Sequence, residues 1–221
     1  MIGYLFNFTF IAECIAFLAA LYLLDKKTGT WRLFIPFLSV TLVVETIGWY
    51  LIDKSRPSNN NWIYNILLLF NGIFTFWILS KADPLVKARR YLLICLSVFI
   101  SFSIFNMLLF EGFWKYNGYT EMLLDLMTSI YICYFFYQVI AENVYRNLYK
   151  YEYFWIAIGF LFSSLGSVVL YIFIDSLTSY YNNTHINIYG YINYGLNVVL
   201  YGSLIISFIC RRRSTRSLPG L

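Results

Sequence analysis

Four carboxylic acids, Glu13, Glu45, Glu121 and Asp125, stand inside long apolar stretches that contain no basic residue. Acids in such a setting could carry protons or cations, hold a polar ligand, or act as a general acid–base pair. A charge left uncompensated at the centre of a bilayer costs about 2.5–3.5 kcal/mol on insertion scales, so these groups are directed to a bundle interior or to water. Helical spacing then gives them company. Glu121, Asp125 and Thr128 fall on one face at i, i+4 and i+7. The same holds for Thr41, Glu45 and Trp49, for Thr9, Glu13 and Ala16, for Asn193, Asn197 and Tyr201, and for Tyr64, Asn71 and Thr75. If these faces turn inward, they line an acid-rich chamber open to one side of the membrane. The expected ligand-binding residues are therefore Glu45, Asp125, Glu13, Glu121, Asn71, Asn193 and Asn197, with Glu45 and Asp125 foremost because both are deep and in phase with polar neighbours. Asn and Thr residues at such positions also suit a hydrogen-bond network that ties helices together.

Other chemistry is not provided for. The single histidine, His185, cannot build a multi-histidine zinc site or serve a nucleophile within the membrane. Cysteines 14, 95, 133 and 210 lie in four different apolar segments with no CxxC spacing, which suits isolated thiols rather than a disulfide framework. Cys210, beside a basic tail, is a candidate for acylation. No lysine lies in an apolar segment, and no glycine-rich phosphate loop is present. The sequence thus predicts no catalytic residue, no metal and no cofactor. Glu121 and Asp125 are the one close acidic pair on which a carboxylate-based lipid enzyme could be built.

The elements that position these residues follow from composition. Of 221 residues 60% are hydrophobic, 22% aromatic and only 12% charged, whereas a soluble domain has about one quarter charged residues. A water-soluble enzyme, a disordered chain and a disulfide scaffold are excluded. A spanning helix needs about 20 predominantly apolar residues, and seven segments qualify: 3–24, 33–52, 62–80, 91–110, 119–141, 153–174 and 188–210. Apolar residues run continuously in them rather than alternating, so a barrel is excluded. The expected fold is all-α, a polytopic membrane protein with seven transmembrane helices in one domain (1–221), ending in a basic tail over 211–221.

Orientation comes from lysine and arginine in the loops. Thirteen of the sixteen basic residues fall on one side: Lys26, Lys27, Arg32, Lys81, Lys87, Arg89, Arg90, Arg146, Lys150, Arg211, Arg212, Arg213 and Arg216. Only Lys54, Arg56 and Lys115 fall on the other. The N-terminus is therefore expected outside and the C-terminus in the cytoplasm, with the first helix retained as a signal anchor. The net charge of +5 becomes a collar that meets anionic head groups of the lipid bilayer, and not a nucleic-acid surface. Tyr and Trp at span ends, such as Trp31, Trp49, Tyr50, Trp62, Trp114, Tyr153 and Trp155, suit an interfacial belt. Gly159, Ser163, Gly166 and Ser167 form a small-residue face suited to close packing.

One resemblance arises in the last third of the chain. The run Phe154-Trp155-Ile156-x-x-Gly159-x-Leu161-Phe162 is followed by Asn193-x-x-Leu196-Asn197-x-x-Leu200-Tyr201, then by Phe208-Ile209-Cys210 and the arginines. With Trp62-Ile63-Tyr64-Asn65 in the third segment, it resembles seven-helix inner-membrane proteins of Gram-negative bacteria. That resemblance implies a bacterial inner membrane and a place in signalling. The expected function is a sensory or signalling module that binds a small molecule in an outward-facing acidic chamber and acts through a cytoplasmic signalling protein. The alternative is a small-solute or proton-coupled transporter using the same acids.

Overall fold

The computed structural model describes residues 2–54, 60–141 and 147–216; side chains are not described for 2–7, 26–27, 52–54 and 86–87. The expected loop residues Arg56 and Arg146 and the end of the tail (217–221) lie outside the described residues. Among the described residues eight α-helices follow one another: α1 (Ile2–Leu23), α2 (Phe34–Lys54), α3 (Asn61–Leu79), α4 (Arg89–Phe105), α5 (Gly118–Ala141), α6 (Glu152–Ile172), α7 (Ile174–Thr184) and α8 (Ile188–Arg216). Short 3-10 turns over Lys26–Leu33, Asp83–Ala88 and Leu148–Lys150 join some of them. Among the described residues there is no strand.

Among the described residues six helices are long and apolar enough to cross a membrane, and Phe8–Leu23 of α1 forms a shorter apolar helix. Such a chain is a multi-pass membrane protein by length and composition. Helix boundaries depart from the expected spans in three places. The fourth span is an α-helix only to Phe105 and then widens into a π turn over Asn106–Phe110. The sixth ends at Ile172, and an amphipathic helix, α7, occupies what reads as a loop. That helix closes at His185, whose left-handed backbone (φ 58°) lets its N–H reach the Tyr181 carbonyl at 2.7 Å. Finally, α8 does not stop at Cys210 but runs through the arginines to Arg216.

Two compact units are present, one formed by Met1–Leu42 and Val144–Leu221, the other by Val43–Asn143. In the first, α8 is the shared partner of α1 and α6. Contacts pair Glu152 with Arg211, Gly159 with Ser203 and Gly166 with Leu196, so α6 and α8 run antiparallel. Glu13 meets Tyr201 and Tyr22 meets Arg212, so α1 and α8 run parallel. The small-residue face explains the close approach of α6. A Cβ on Gly159 would lie 2.8 Å from the Ser203 Cβ, and one on Gly166 would collide with the Leu196 side chain. The buried face of α1 is Glu13, Ala16, Ala20 and Leu24, one stripe at helical period.

The second unit is built on α3, the helix with the largest buried share of its length. Phe76 of α3 stands 6.3 Å from Phe99 of α4 and 6.2 Å from Tyr131 of α5, with Ile132 and Phe135 sealed beneath. Gly72 gives Phe99 the room to lie against α3. Aromatic contacts of this kind, edge-to-face for Phe76 and Tyr131, hold helices where lipid supplies no hydrophobic drive between them.

Candidate functional site

In the first unit the predicted polar residues form a stripe. Glu13 is buried in α1, and its Oε1 accepts a 2.8 Å hydrogen bond from the Tyr201 hydroxyl of α8. One turn back along α8, Asn197 donates from Nδ2 to the Asn193 carbonyl at 2.9 Å and to its Oδ1 at 3.4 Å. Asn193, Asn197 and Tyr201 therefore share a face, as their spacing requires, and Tyr201 carries that face to Glu13. A carboxylate and a phenol linked in this way can offer a polar ligand acceptor oxygens, since the phenol's one proton is given to Glu13.

The second unit has its own acid–phenol pair. Tyr64 of α3 donates to Oε2 of Glu45 on α2 at 3.0 Å. The ring of Tyr64 also fills the space beside Gly48, where any Cβ would stand 2.6 Å from its hydroxyl. Asn60 adds a 3.3 Å bond to the Gly48 carbonyl. Asn71 lies half-buried further along α3, and its Oδ1 is a sealed acceptor without a hydrogen-bond partner among the described residues. Glu121 and Asp125 are half-buried on α5, with Tyr116 hydrogen-bonded to Glu121. Glu13 thus meets Tyr201, Glu45 meets Tyr64 and Asn197 meets Asn193.

Two polar groupings escape the sequence reading. The first is a clamp on the α4–α5 connection. Asn65, buried in α3, donates from Nδ2 to the Phe113 carbonyl at 3.0 Å and the Lys115 carbonyl at 2.7 Å, while its Oδ1 accepts from the Asn117 N–H at 3.0 Å. Asn106, in the π turn, bonds Glu111 and the Thr120 hydroxyl, and Glu111 also accepts from the Tyr119 N–H at 3.3 Å. Gly112, at φ 83°, makes the reversal between them that an L side chain resists. The second grouping lies at the basic end of α8. Arg211 pairs with Glu152 at 2.9 Å and places its guanidinium 5.6 Å from the Trp31 ring. Arg212 lies 4.7 Å from the Tyr22 ring.

These contacts correct two readings of the sequence. Trp31 and Tyr153 are not belt residues facing lipid. Both are buried, ring against ring at 5.2 Å, because the turn before α2 folds Trp31 under α6. Trp49, Tyr50 and Trp114 do stand exposed. Cys210 is buried, with its thiol 3.5 Å from the Tyr149 carbonyl, so an acyl chain could not be attached without opening the packing. Among the described residues no three His, Cys, Asp or Glu side chains cluster as a metal site would require. Compared with protein-family models, with curated proteins and with solved structures, the chain matches none.

Proposed function

We propose that this chain is a sensory or signalling membrane module in which a small polar ligand engages the Glu13–Tyr201–Asn197–Asn193 stripe and α8 carries the response to a cytoplasmic partner. One observation carries the reading: α8 is a single helix from Ile188 to Arg216, with the stripe near one end and the clamped arginine at the other. At about 1.5 Å per residue, Asn193 and Arg211 are about 27 Å apart on one rod. A ligand that favours one seating of α8 against α1 therefore also favours one position of its basic end. Glu45, Asp125, Glu121 and Asn71 supply the second unit with acceptors of the same chemistry. The topology that goes with this reading is seven spans with the N-terminus outside and the C-terminus in the cytoplasm of a bacterial inner membrane, supported by the uneven distribution of basic residues.

The test places a photo-crosslinking residue at Arg213 or Arg216, both exposed, in the full chain in its native membrane. A recurrent soluble protein should be captured, and Glu13→Gln should change its yield. Capture of lipid alone, with or without that substitution, would overturn the signalling reading.

The second reading, a small-solute or proton-coupled transporter, is favoured by the recurrence of an acid–phenol pair in each unit. It requires proton or solute flux in proteoliposomes that Glu45→Gln or Asp125→Asn abolishes. The signalling reading requires none.

A further inference from the structure

Arg211 and Arg212 stand side by side at the end of the α1–α8 pair, and they are treated differently. In both, the Nε is sealed from solvent without a hydrogen-bond partner among the described residues. Arg211 has the Glu152 carboxylate at 2.9 Å to offset the water it has lost. Arg212 has no carboxylate among the described residues; its guanidinium lies against the face of Tyr22, which is itself 75% exposed. A cation stripped of part of its hydration and given no counter-charge is costly, and an aromatic face repays only part of that cost. The half-buried side chain keeps part of its surface open, and a guanidinium fork matches two oxygens of a phosphate.

The level of this site indicates what brings the phosphate. Leu23 ends α1, Glu152 begins α6, and Arg211 follows the apolar run Leu204–Cys210 of α8. Three helices of one unit thus change from apolar to polar at the same height, which is where a membrane surface lies. We infer that Arg212, backed by the Tyr22 ring, is a binding site for the phosphate of an anionic phospholipid, distinct from the diffuse attraction of the basic collar and independent of what the polar stripe binds.

The full chain in a neutral detergent, titrated with phosphatidylglycerol and with phosphatidylcholine of the same acyl chains, tests this by native mass spectrometry. The wild type should prefer phosphatidylglycerol, and Arg212→Gln should reduce that preference about tenfold, the scale of a lost charge-assisted hydrogen bond. Arg213→Gln removes an exposed charge of the same sign and should leave it within about twofold. Arg212→Lys and Tyr22→Leu, which disturb the fork or its backing while keeping the charge, should each lower the preference and serve should Arg212→Gln fail to fold. Equal losses from Arg212→Gln and Arg213→Gln would reduce the site to a diffuse field and overturn the proposal. So would equal binding of the two lipids. Inorganic phosphate alone should not raise the melting temperature; an Arg212-dependent rise would assign the site to a soluble phosphate and overturn the lipid assignment.

Discussion

The Tyr201 hydroxyl donates to the Glu13 carboxylate over 2.8 Å, joining α1 to α8 by residues 188 positions apart in the chain. Buried polar ties between membrane helices average about 0.6 kcal/mol and reach about 1.7. Tyr201→Phe should therefore lower the unfolding free energy in detergent by roughly that range, 0.6–1.7 kcal/mol. Glu13→Ala should cost more, because it removes packing as well as the acceptor. A double-mutant cycle separates the two contributions. If the coupling between the sites is zero, the bond does not hold the helices, and its part in transmitting a ligand's effect along α8 fails with it.

Close packing of α6 on α8 gives a second prediction. A methyl at Gly159 would fall 2.8 Å from the Ser203 Cβ and 3.3 Å from the Leu200 carbonyl oxygen, one of which is backbone and cannot rotate away. Gly159→Ala should destabilise by about 1–3 kcal/mol, the usual cost of overpacking. Pairing it with Ser203→Gly should recover part of that loss. Gly202 has open space around its would-be Cβ, so Gly202→Ala should be neutral or stabilising by up to about 1 kcal/mol through helix propensity. A similar loss at both glycines would show that helix interior, not interhelical contact, sets the cost.

Much of this architecture was legible in the sequence because a bilayer leaves few choices. Backbone groups in hydrocarbon must bond within their own segment, so a long apolar run reads directly as a helix. Phase is legible where a hydrogen bond reports it, along α8. Spacing alone puts Tyr201 with Asn193 and Asn197, and Tyr64 with Asn71. What spacing cannot supply is the partner across the interface. That Glu13 would find Tyr201, and Glu45 would find Tyr64, depends on how helices turn toward one another. Glu152 is hidden for a related reason. It sits at the edge of its apolar run and reads as a solvated boundary residue, although an acid in the first turn of a helix is favoured by the dipole and Arg211 arrives from far along the chain. Asn65 is invisible in the sequence because its partners are carbonyls and an N–H of an irregular connection, which carry no side-chain signature.

That connection yields a third prediction. Asn65 uses both ends of its amide, donating to two carbonyls and accepting from the Asn117 N–H. Asn65→Asp keeps the acceptor but sets a carboxylate oxygen against the Phe113 and Lys115 carbonyls, whereas Asn65→Ala removes all three bonds at once. Both should speed hydrogen exchange at the Asn117 amide and protease cleavage near Gly112, by at least about tenfold for a loss of 1.4 kcal/mol or more. The aspartate should be no better than alanine, since the repulsion cancels what its remaining bond contributes. Unchanged exchange in both variants would show that the π turn and the Asn106–Glu111–Thr120 bonds hold the connection without Asn65.

Asn71 allows stability and function to be pulled apart. Its Oδ1 is sealed within the second unit without a hydrogen-bond partner among the described residues. An unsatisfied acceptor costs about 1–3 kcal/mol, and replacing such a group by an apolar one of similar shape is close to neutral or stabilising. Asn71→Leu should therefore leave the unfolding free energy unchanged or raise it. A buried acceptor without a partner is a candidate for a functional group, and if the site uses it the same variant should weaken the transmitted response read by crosslinking at Arg213 or the flux read in proteoliposomes. A destabilised Asn71→Leu would make the residue a structural tie. A stabilised variant with both readouts intact would remove Asn71 from the candidate site, leaving Glu45 and its tyrosine as the polar centre of that unit.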